Sequence, residues 1–131
     1  MEAVLQLIEN YRSAWETIVR QSGNVDDVNQ FFHLPCFFIG ADGSVQLFKV
    51  AEDVSVFHRP RLKSFQEGGV KKPRTKNIKV APLGPNNALI MVTWEQYRDD
   101  DTLERTWQHS YHAIKTDAGW KFLVSTFQAG A

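Results

Sequence analysis

The sequence predicts an α+β domain in which helices cover one face of an antiparallel sheet. In the first half, apart from one short hairpin, apolar residues recur at spacings of three and four, which is typical of helices with one buried side. In the second half, apolar and polar residues alternate in four segments separated by turn residues, which is typical of consecutive antiparallel strands. The length of 131 residues favours a single domain over 1–131.

Two helices are predicted before the first strand. The first extends from about residue 2 to 21 and ends at Ser22-Gly23. Its buried side is predicted to comprise Val4, Leu7, Ile8, Tyr11, Trp15 and Ile18. The second helix is short, because Asn24 is a suitable cap for its start and Pro35 closes it.

A hairpin and a third helix follow. Residues 36–39 and 45–48 are rich in β-forming residues and flank a turn sequence, so they predict a short hairpin. The third helix is predicted from about Val50 to Gln66, with a kink at Pro60 and a stop at Gly68-Gly69.

Four strands are predicted near 75–81, 88–97, 104–116 and 120–128. A hairpin tip at Asp100-Asp101 places three pairs on one apolar face, namely Trp94 with Trp107, Val92 with His109, and Ile90 with Tyr111. A three-residue turn at 117–119 adds Phe127 beside His109, Ser125 beside Tyr111, and Leu123 beside Ala113. A slip of one residue in either hairpin would exchange the two faces.

The opposite sheet face is predicted to be mixed in polarity. Its polar members are Thr93, Glu95, Thr106, Gln108, Ser110 and His112, and its apolar members are Leu89, Met91, Ile114, Trp120, Phe122 and Val124. Because one end is too apolar for free solvent, we expect a homodimer through this face.

Composition limits the classes of partner and location. Fifteen basic and fifteen acidic residues give a formal net charge of zero, so we expect neither nucleic acid nor a membrane as a partner. The basic run at 71–76 is expected to be a solvated strand entrance. The amphipathic, charged N-terminal segment is unlike a secretory signal, and one cysteine cannot form an internal disulfide, so we expect a cytoplasmic location.

Four sequence segments resemble those of the nuclear transport factor 2-like superfamily, which includes ketosteroid isomerase, scytalone dehydratase and polyketide cyclases. The segments are YRSAW, GNVDDVNQFFHLPC, GADGSV and YHAIKTDAGWKFLVS. The similarity covers essentially the whole chain, and the most similar group within the superfamily is an uncharacterised bacterial branch. The resemblance implies a curved, mostly antiparallel sheet wrapped by three N-terminal helices into a cone. Function does not transfer with this fold, because the superfamily contains enzymes, ligand binders and protein adaptors.

Of three catalytic positions of the steroid isomerases, one is matched by the corresponding residue of this chain and two are not. Tyr11 matches the position of a tyrosine that donates to a developing oxyanion. Ile39-Gly40 stand where those enzymes have a general-base aspartate, and Ser110 or Tyr111 stands where they have a second acid. Since that mechanism needs both acids, it is strongly disfavoured here.

His109 is the second candidate catalytic residue, as a general acid or base on the concave face. A satisfied core histidine is an equally good interpretation. Glu95 faces away in the chosen register, and His109 and His112 point to opposite faces, so no shared metal site is predicted. No cofactor is predicted either.

The aromatic residues of the concave face are predicted to line a cavity for a small apolar or aromatic ligand. The expected ligand-binding residues are Trp15, Phe57, Trp94, Trp107, Tyr111 and Phe127. The leading hypothesis is therefore a small-molecule binder. The alternatives are an isomerase, dehydratase or cyclase that uses His109 as proton shuttle and Tyr11 as donor, and a protein-interaction module with a filled cone.

The pair His33 and Cys36 poses the remaining question. A nucleophilic cysteine would need the imidazole within hydrogen-bond reach of sulfur in an open site. Cysteine is among the most buried residue types, so we predict that both are structural and that His33 bonds to the backbone.

Overall fold

A computed structural model describes residues 1–21 and 23–129 as three helices packed on one six-stranded sheet. The helices are α1 (Glu2–Arg20), a 3₁₀ helix (Val25–Phe31) and α2 (Ala51–Glu67). The strands are β1 (Phe32–Ile39), β2 (Val45–Phe48), β3 (Lys72–Pro82), β4 (Asn87–Tyr97), β5 (Leu103–Thr116) and β6 (Gly119–Ala129). Ser22, predicted to end the first helix, lies outside the described residues.

The sheet order is β2-β1-β6-β5-β4-β3, and every neighbouring pair is antiparallel except β1 with β6. The curved sheet and the helices on its concave side confirm the predicted α+β cone. Because β1 pairs with the last strand, the N-terminal helices are held against the sheet formed by the C-terminal half.

The two α-helices form where the apolar spacing predicts them. All six apolar residues predicted to be buried on α1 are buried, and Val19 joins them. Helix α2 continues through Pro60, which is exposed, and it ends where Gly69 adopts a φ of +78°. A left-handed residue at this position suits glycine, because any side chain would be strained there.

The segment between α1 and the first hairpin differs from the prediction. Asn24 does cap a helix, since its Oδ1 accepts a hydrogen bond from the Asp26 N–H at 2.9 Å. That helix is a short 3₁₀ helix ending at Phe31, however, and β1 begins at Phe32 and continues through Pro35. Pro35 therefore lies inside an extended strand, with a cis peptide bond before it, where the sequence predicted it to close a helix.

Both long hairpins have turns that differ by one residue from the prediction, and a bulge compensates in each. Between β4 and β5 the tip is Asp99–Asp101, flanked by a bond between the Arg98 N–H and the Thr102 carbonyl at 2.9 Å. Between β5 and β6 the turn has two residues, because Thr116 pairs directly with Gly119. Register shifts after Gln96 and after His112 restore the predicted pairs, which include Trp94 with Trp107 and His109 with Phe127.

The bulge in β6 overturns the predicted placement of Phe122 and Trp120 on the outer face and of Leu123 on the inner face. Ala113 pairs with Phe122 instead of Leu123, so Phe122 is fully buried in the core and is not part of the outer face. Trp120 also packs against the core. The outer face still exposes Leu89 and Met91, with 43% and 46% of their surface accessible.

Candidate functional site

A cavity of about 360 Å³ lies between the helices and the concave face of the sheet. Its wall contains every residue for which the sequence predicted a role in binding or catalysis: Tyr11, Trp15, Phe57, Trp94, Trp107, His109, Tyr111 and Phe127. An engineered protein cavity of about 150 Å³ holds benzene, so this one has room for two fused rings and a substituent. That these residues bind a ligand remains a prediction.

Tyr11 and Tyr111 are part of the cavity wall and belong to a cluster of aromatic rings. Tyr11 meets Phe122 edge-on, with ring centroids 5.1 Å apart, and Tyr111 lies 6.2 Å from Tyr11. The Tyr111 hydroxyl accepts a hydrogen bond from Trp94 Nε1 at 3.1 Å. Burial raises the pKa of Tyr11 to about 12 and raises the pKa of Tyr111 as well, so both hydroxyls keep their protons.

His109 is held between two partners on the sheet. Trp107 Nε1 donates to His109 Nδ1 at 3.2 Å, and His109 Nε2 lies 2.7 Å from Ser125 Oγ. An indole nitrogen can only donate, so Nδ1 carries no proton and the neutral ring donates from Nε2 to Ser125. Burial, followed by the charge of Arg61, lowers the pKa of His109 to about 3.

His58 on α2 faces the same cavity, and it was predicted on the apolar side of the helix but not as a site residue. It is as buried as His109, and burial together with the charge of Arg61 lowers its pKa to about 3. Within the described part of the chain, its Nδ1 is buried and meets no partner at hydrogen-bond geometry, although the Val54 backbone is close enough to offset part of the lowering of the pKa. Aromatic rings surround it, with Trp15 at 5.4 Å and Phe57 at 5.3 Å between centroids.

Arg61 follows three residues later on the same helix. Its guanidinium carbon lies 4.4 Å from the centre of the Phe57 ring and 4.2 Å from that of Phe127. Both distances are within the range of cation–π contact. Among residues 1–21 and 23–129 it forms no salt bridge, and its Nε is buried without a partner.

Gln96, at the end of β4, supplies the third unsatisfied group of the wall. Its side chain is buried, and Oε1 has no partner among the described residues. Four such buried side-chain atoms occur in this part of the chain, and three of them belong to residues of the cavity wall. The fourth atom is Oδ1 of Asn29, which is not part of the cavity wall. The Nδ2 group of the same side chain donates to Ser55 Oγ.

The other two charged residues of the wall are paired. Arg105 Nε donates to Glu104 Oε2 at 3.0 Å, and Arg105 Nη2 donates to Ser64 Oγ at 2.9 Å. Their charges offset each other, and both histidines of the wall are neutral at pH 7. Arg61 therefore leaves the cavity wall with one uncompensated positive charge.

The spacing on α2 contained a signal for the residues that were missed. Phe57, Arg61 and Phe65 are four residues apart, and His58 lies three residues before Arg61. Residues at such spacings share one helix face, so an arginine in this stripe occupies a core-facing position. A charged residue inside an apolar stripe predicts a site in a way that another aromatic residue would not.

The structure supports a structural role for His33 and Cys36. Cys36 is fully buried, and burial, together with the negative charge of Asp53, raises the pKa of its thiol to about 11. His33 Nδ1 lies 2.9 Å from the carbonyl oxygen of Pro35, as the predicted backbone hydrogen bond requires. A thiol with a raised pKa is a poor nucleophile at neutral pH.

Residues 1–21 and 23–129 contain neither a cluster of metal-ligating side chains nor a membrane-spanning helix. This part of the chain brings no three side chains of histidine, cysteine, aspartate or glutamate close enough together to hold a metal ion. Its helices are too short or too polar to cross a membrane. The basic run at 71–76 is largely paired, since Lys72 contacts Asp101, Arg74 contacts Glu16, and Lys76 contacts Glu95.

Residues 2–129 match the family described as NTF2-like protein (DUF6841). The chain belongs to this family. No curated protein matches the sequence. The family assignment confirms the resemblance to the nuclear transport factor 2-like superfamily that the sequence segments indicated.

Solved structures agree with the family assignment. An NTF-2 like protein of unknown function from Shewanella oneidensis is 15% identical with a TM-score of 0.72, and 98% of each chain is covered. An NTF2-like protein with a cystatin-like fold from Novosphingobium aromaticivorans is 14% identical with a TM-score of 0.73, over 97% of this chain and 79% of that one. A putative scytalone dehydratase from the same organism is 13% identical with a TM-score of 0.67, over 97% and 81%. At these identities the likeness establishes the fold alone.

Proposed function

We propose that this NTF2-like protein binds a small molecule with an apolar or aromatic body inside its cone. The observation that carries the proposal is an apolar cavity of about 360 Å³ whose wall includes three residues that each have an unsatisfied polar atom, namely His58, Arg61 and Gln96. A buried polar atom without a partner costs roughly 1–3 kcal/mol. Because these atoms are buried, a ligand reaches them only when the side chains rotate toward the cavity, and the bonds it then forms remove that cost. His58, Arg61 and Gln96 are therefore the expected polar contacts.

The surrounding wall suits an aromatic ligand body. Trp94 and Trp107 lie stacked with ring centroids 6.1 Å apart, and Trp107 is stacked on Phe65 at 6.3 Å. Broad ring faces such as these bind flat apolar groups well. The combination of an apolar wall and a few polar atoms is typical of small-molecule sites.

The second candidate is an isomerase, dehydratase or cyclase in which His109 moves a proton and Tyr11 donates a hydrogen bond. The presence of both residues in one cavity wall favours it. The hydrogen bonds of His109 argue against it, because Trp107 donates to Nδ1, whose lone pair is the only one on the ring that could accept a substrate proton. His58 has a free Nδ1, but its lowered pKa makes it a weak base.

A protein-interaction module with a filled cone is the third candidate, and a cavity of about 360 Å³ counts against it. The outer sheet face, with Leu89 and Met91 exposed, is proposed as the homodimer interface. A cytoplasmic location is proposed on the single cysteine and the balanced charge of the chain.

Two measurements test the binding proposal. Native mass spectrometry of the protein purified without added ligand detects any bound small molecule. Titration with one- and two-ring aromatic compounds, followed by tryptophan fluorescence and calorimetry, is expected to show one site per chain, with dissociation constants on the order of 10–500 µM. If the purified protein carries nothing and no aromatic compound binds, the proposal is wrong.

A further inference from the structure

The arginines of this chain differ in one respect that bears on the ligand. Six of the seven bond to a carboxylate, a carbonyl or a hydroxyl, as Arg12 does to Glu9, Arg59 to Glu52 and Arg98 to the Gly68 carbonyl. Arg61 has no such partner within the described residues. It is also the arginine whose guanidinium carbon lies over two aromatic rings of the cavity wall.

We propose that the ligand is a monoanionic aromatic or apolar acid whose carboxylate pairs with the Arg61 guanidinium. The inference rests on the proposed binding function and adds the chemical class of the ligand. The contacts of the guanidinium carbon with the Phe57 and Phe127 rings are cation–π contacts, which do not take up its N–H groups as hydrogen bonds would. A carboxylate fits the N–H edge of a guanidinium, since two parallel N–H···O bonds match its two oxygens.

The charge of the cavity favours a monoanion over a dianion. Glu104 and Arg105 neutralise each other, and Arg105 also donates to Ser64. His58 and His109 are deeply buried and neutral. One positive charge matches one carboxylate, whereas a phosphate with a charge of about −1.5 to −2 would leave negative charge uncompensated in an apolar site.

The position of Arg61 fixes the orientation of the acid. Helix α2 supplies both Arg61 and His58, and the stacked indoles of Trp94 and Trp107 lie on the sheet. A carboxylate on Arg61 therefore directs the apolar body from the helix toward the indoles. His58 Nδ1 and Gln96 Oε1 remain for further polar groups of the ligand.

The test compares matched pairs of acids and neutral amides at pH 7. The probes are benzoate, 2-naphthoate and biphenyl-4-carboxylate with their three primary amides, titrated into the full chain by calorimetry. We expect at least one acid to bind about tenfold or more tightly than its amide, since charge-assisted hydrogen bonds to a partly buried arginine have this effect. Arg61→Met should reduce the affinity for the acid to that for the amide, and Arg61→Lys should retain part of the preference.

Arg59→Met is the matched control, because Arg59 lies two positions earlier on α2 and bonds to Glu52 at the surface. It should leave the preference for acids unchanged. Amides that bind as tightly as acids to the unchanged protein would overturn the present inference and leave the binding function standing. Failure of all six probes to bind, with nothing bound to the purified protein, would overturn both, and this comparison needs no variant to fold.

Discussion

The two histidines of the cavity wall are alike in burial but opposite in bonding. Each exposes 3% of its surface, and the pKa of each is lowered to about 3. His109 on the sheet is bonded to Trp107 and Ser125, whereas His58 on α2 has a nitrogen without a partner. His109 on the sheet is therefore satisfied by its neighbours, whereas His58 and Arg61 on α2 retain polar groups for a ligand, as does Gln96 at the end of β4.

The largest expected effect is a difference in stability between matched substitutions of the two histidines. His109→Phe leaves the Trp107 N–H and the Ser125 hydroxyl without partners, so it should lower the free energy of unfolding by roughly 2–4 kcal/mol. His58→Phe removes an unsatisfied nitrogen, so it should leave stability unchanged or raise it by up to about 1 kcal/mol. Urea unfolding of the three proteins measures both values, and equal losses would contradict the comparison.

The second effect is a loss of stability in mild acid that both histidines share. An unfolded histidine has a pKa of about 6.5, and the folded values are near 3, so the unfolded state binds more protons between these limits. The free energy of unfolding should fall as the pH decreases below 6.5, by roughly 2–3 kcal/mol per histidine at pH 4.5. His58→Phe should remove about half of this dependence, measured as unfolding free energy against pH. A dependence unchanged in that variant would show that His58 is not neutral and buried.

The third effect concerns the indoles of the sheet side. Trp94→Phe reduces the stacking surface and removes the bond to Tyr111, so it should weaken the binding of 2-naphthamide by about tenfold. Trp120→Phe is the control, because Trp120 packs on the core away from the cavity. Calorimetric affinities that change equally in both variants would place the aromatic body elsewhere.

The smallest expected effect tests the charge of the cavity. Glu104→Gln removes the negative partner of Arg105, so the wall gains positive charge and 2-naphthoate should bind roughly two- to fivefold more tightly. Glu95→Gln is the control, since Glu95 pairs with Lys76 outside the cavity. A gain of the same size in the control would show that the charge of the whole protein sets the affinity.

Much of the cavity wall could be predicted from the sequence, because the two errors in predicted turn length were each offset by a β-bulge. Each long hairpin has a turn one residue different from the predicted one, and a bulge restores the register before the cavity is reached. Trp94 and His109 therefore face inward as predicted. Phe122 lies between the turn of its hairpin and the bulge, so its predicted face was wrong.

The bonding of the wall residues could not be predicted from the sequence. Whether His109 is satisfied depends on Ser125, which is on a neighbouring strand, and the absence of a partner for Arg61 depends on every element around it. Spacing on α2 does place Arg61 in an apolar stripe, which was a usable signal. The extended strand around Pro35 could not be predicted from spacing, because a proline after a short helix usually ends it.

A crystal structure of the protein in complex with 2-naphthoate tests the central claim most directly. The account predicts electron density in the cone, with the carboxylate within hydrogen-bond distance of Arg61 on α2 and the rings against Trp94 and Trp107. A carboxylate bonded to His109 or Ser125 on the sheet would contradict the division between the two sides. A cone closed by side chains would contradict the binding function itself.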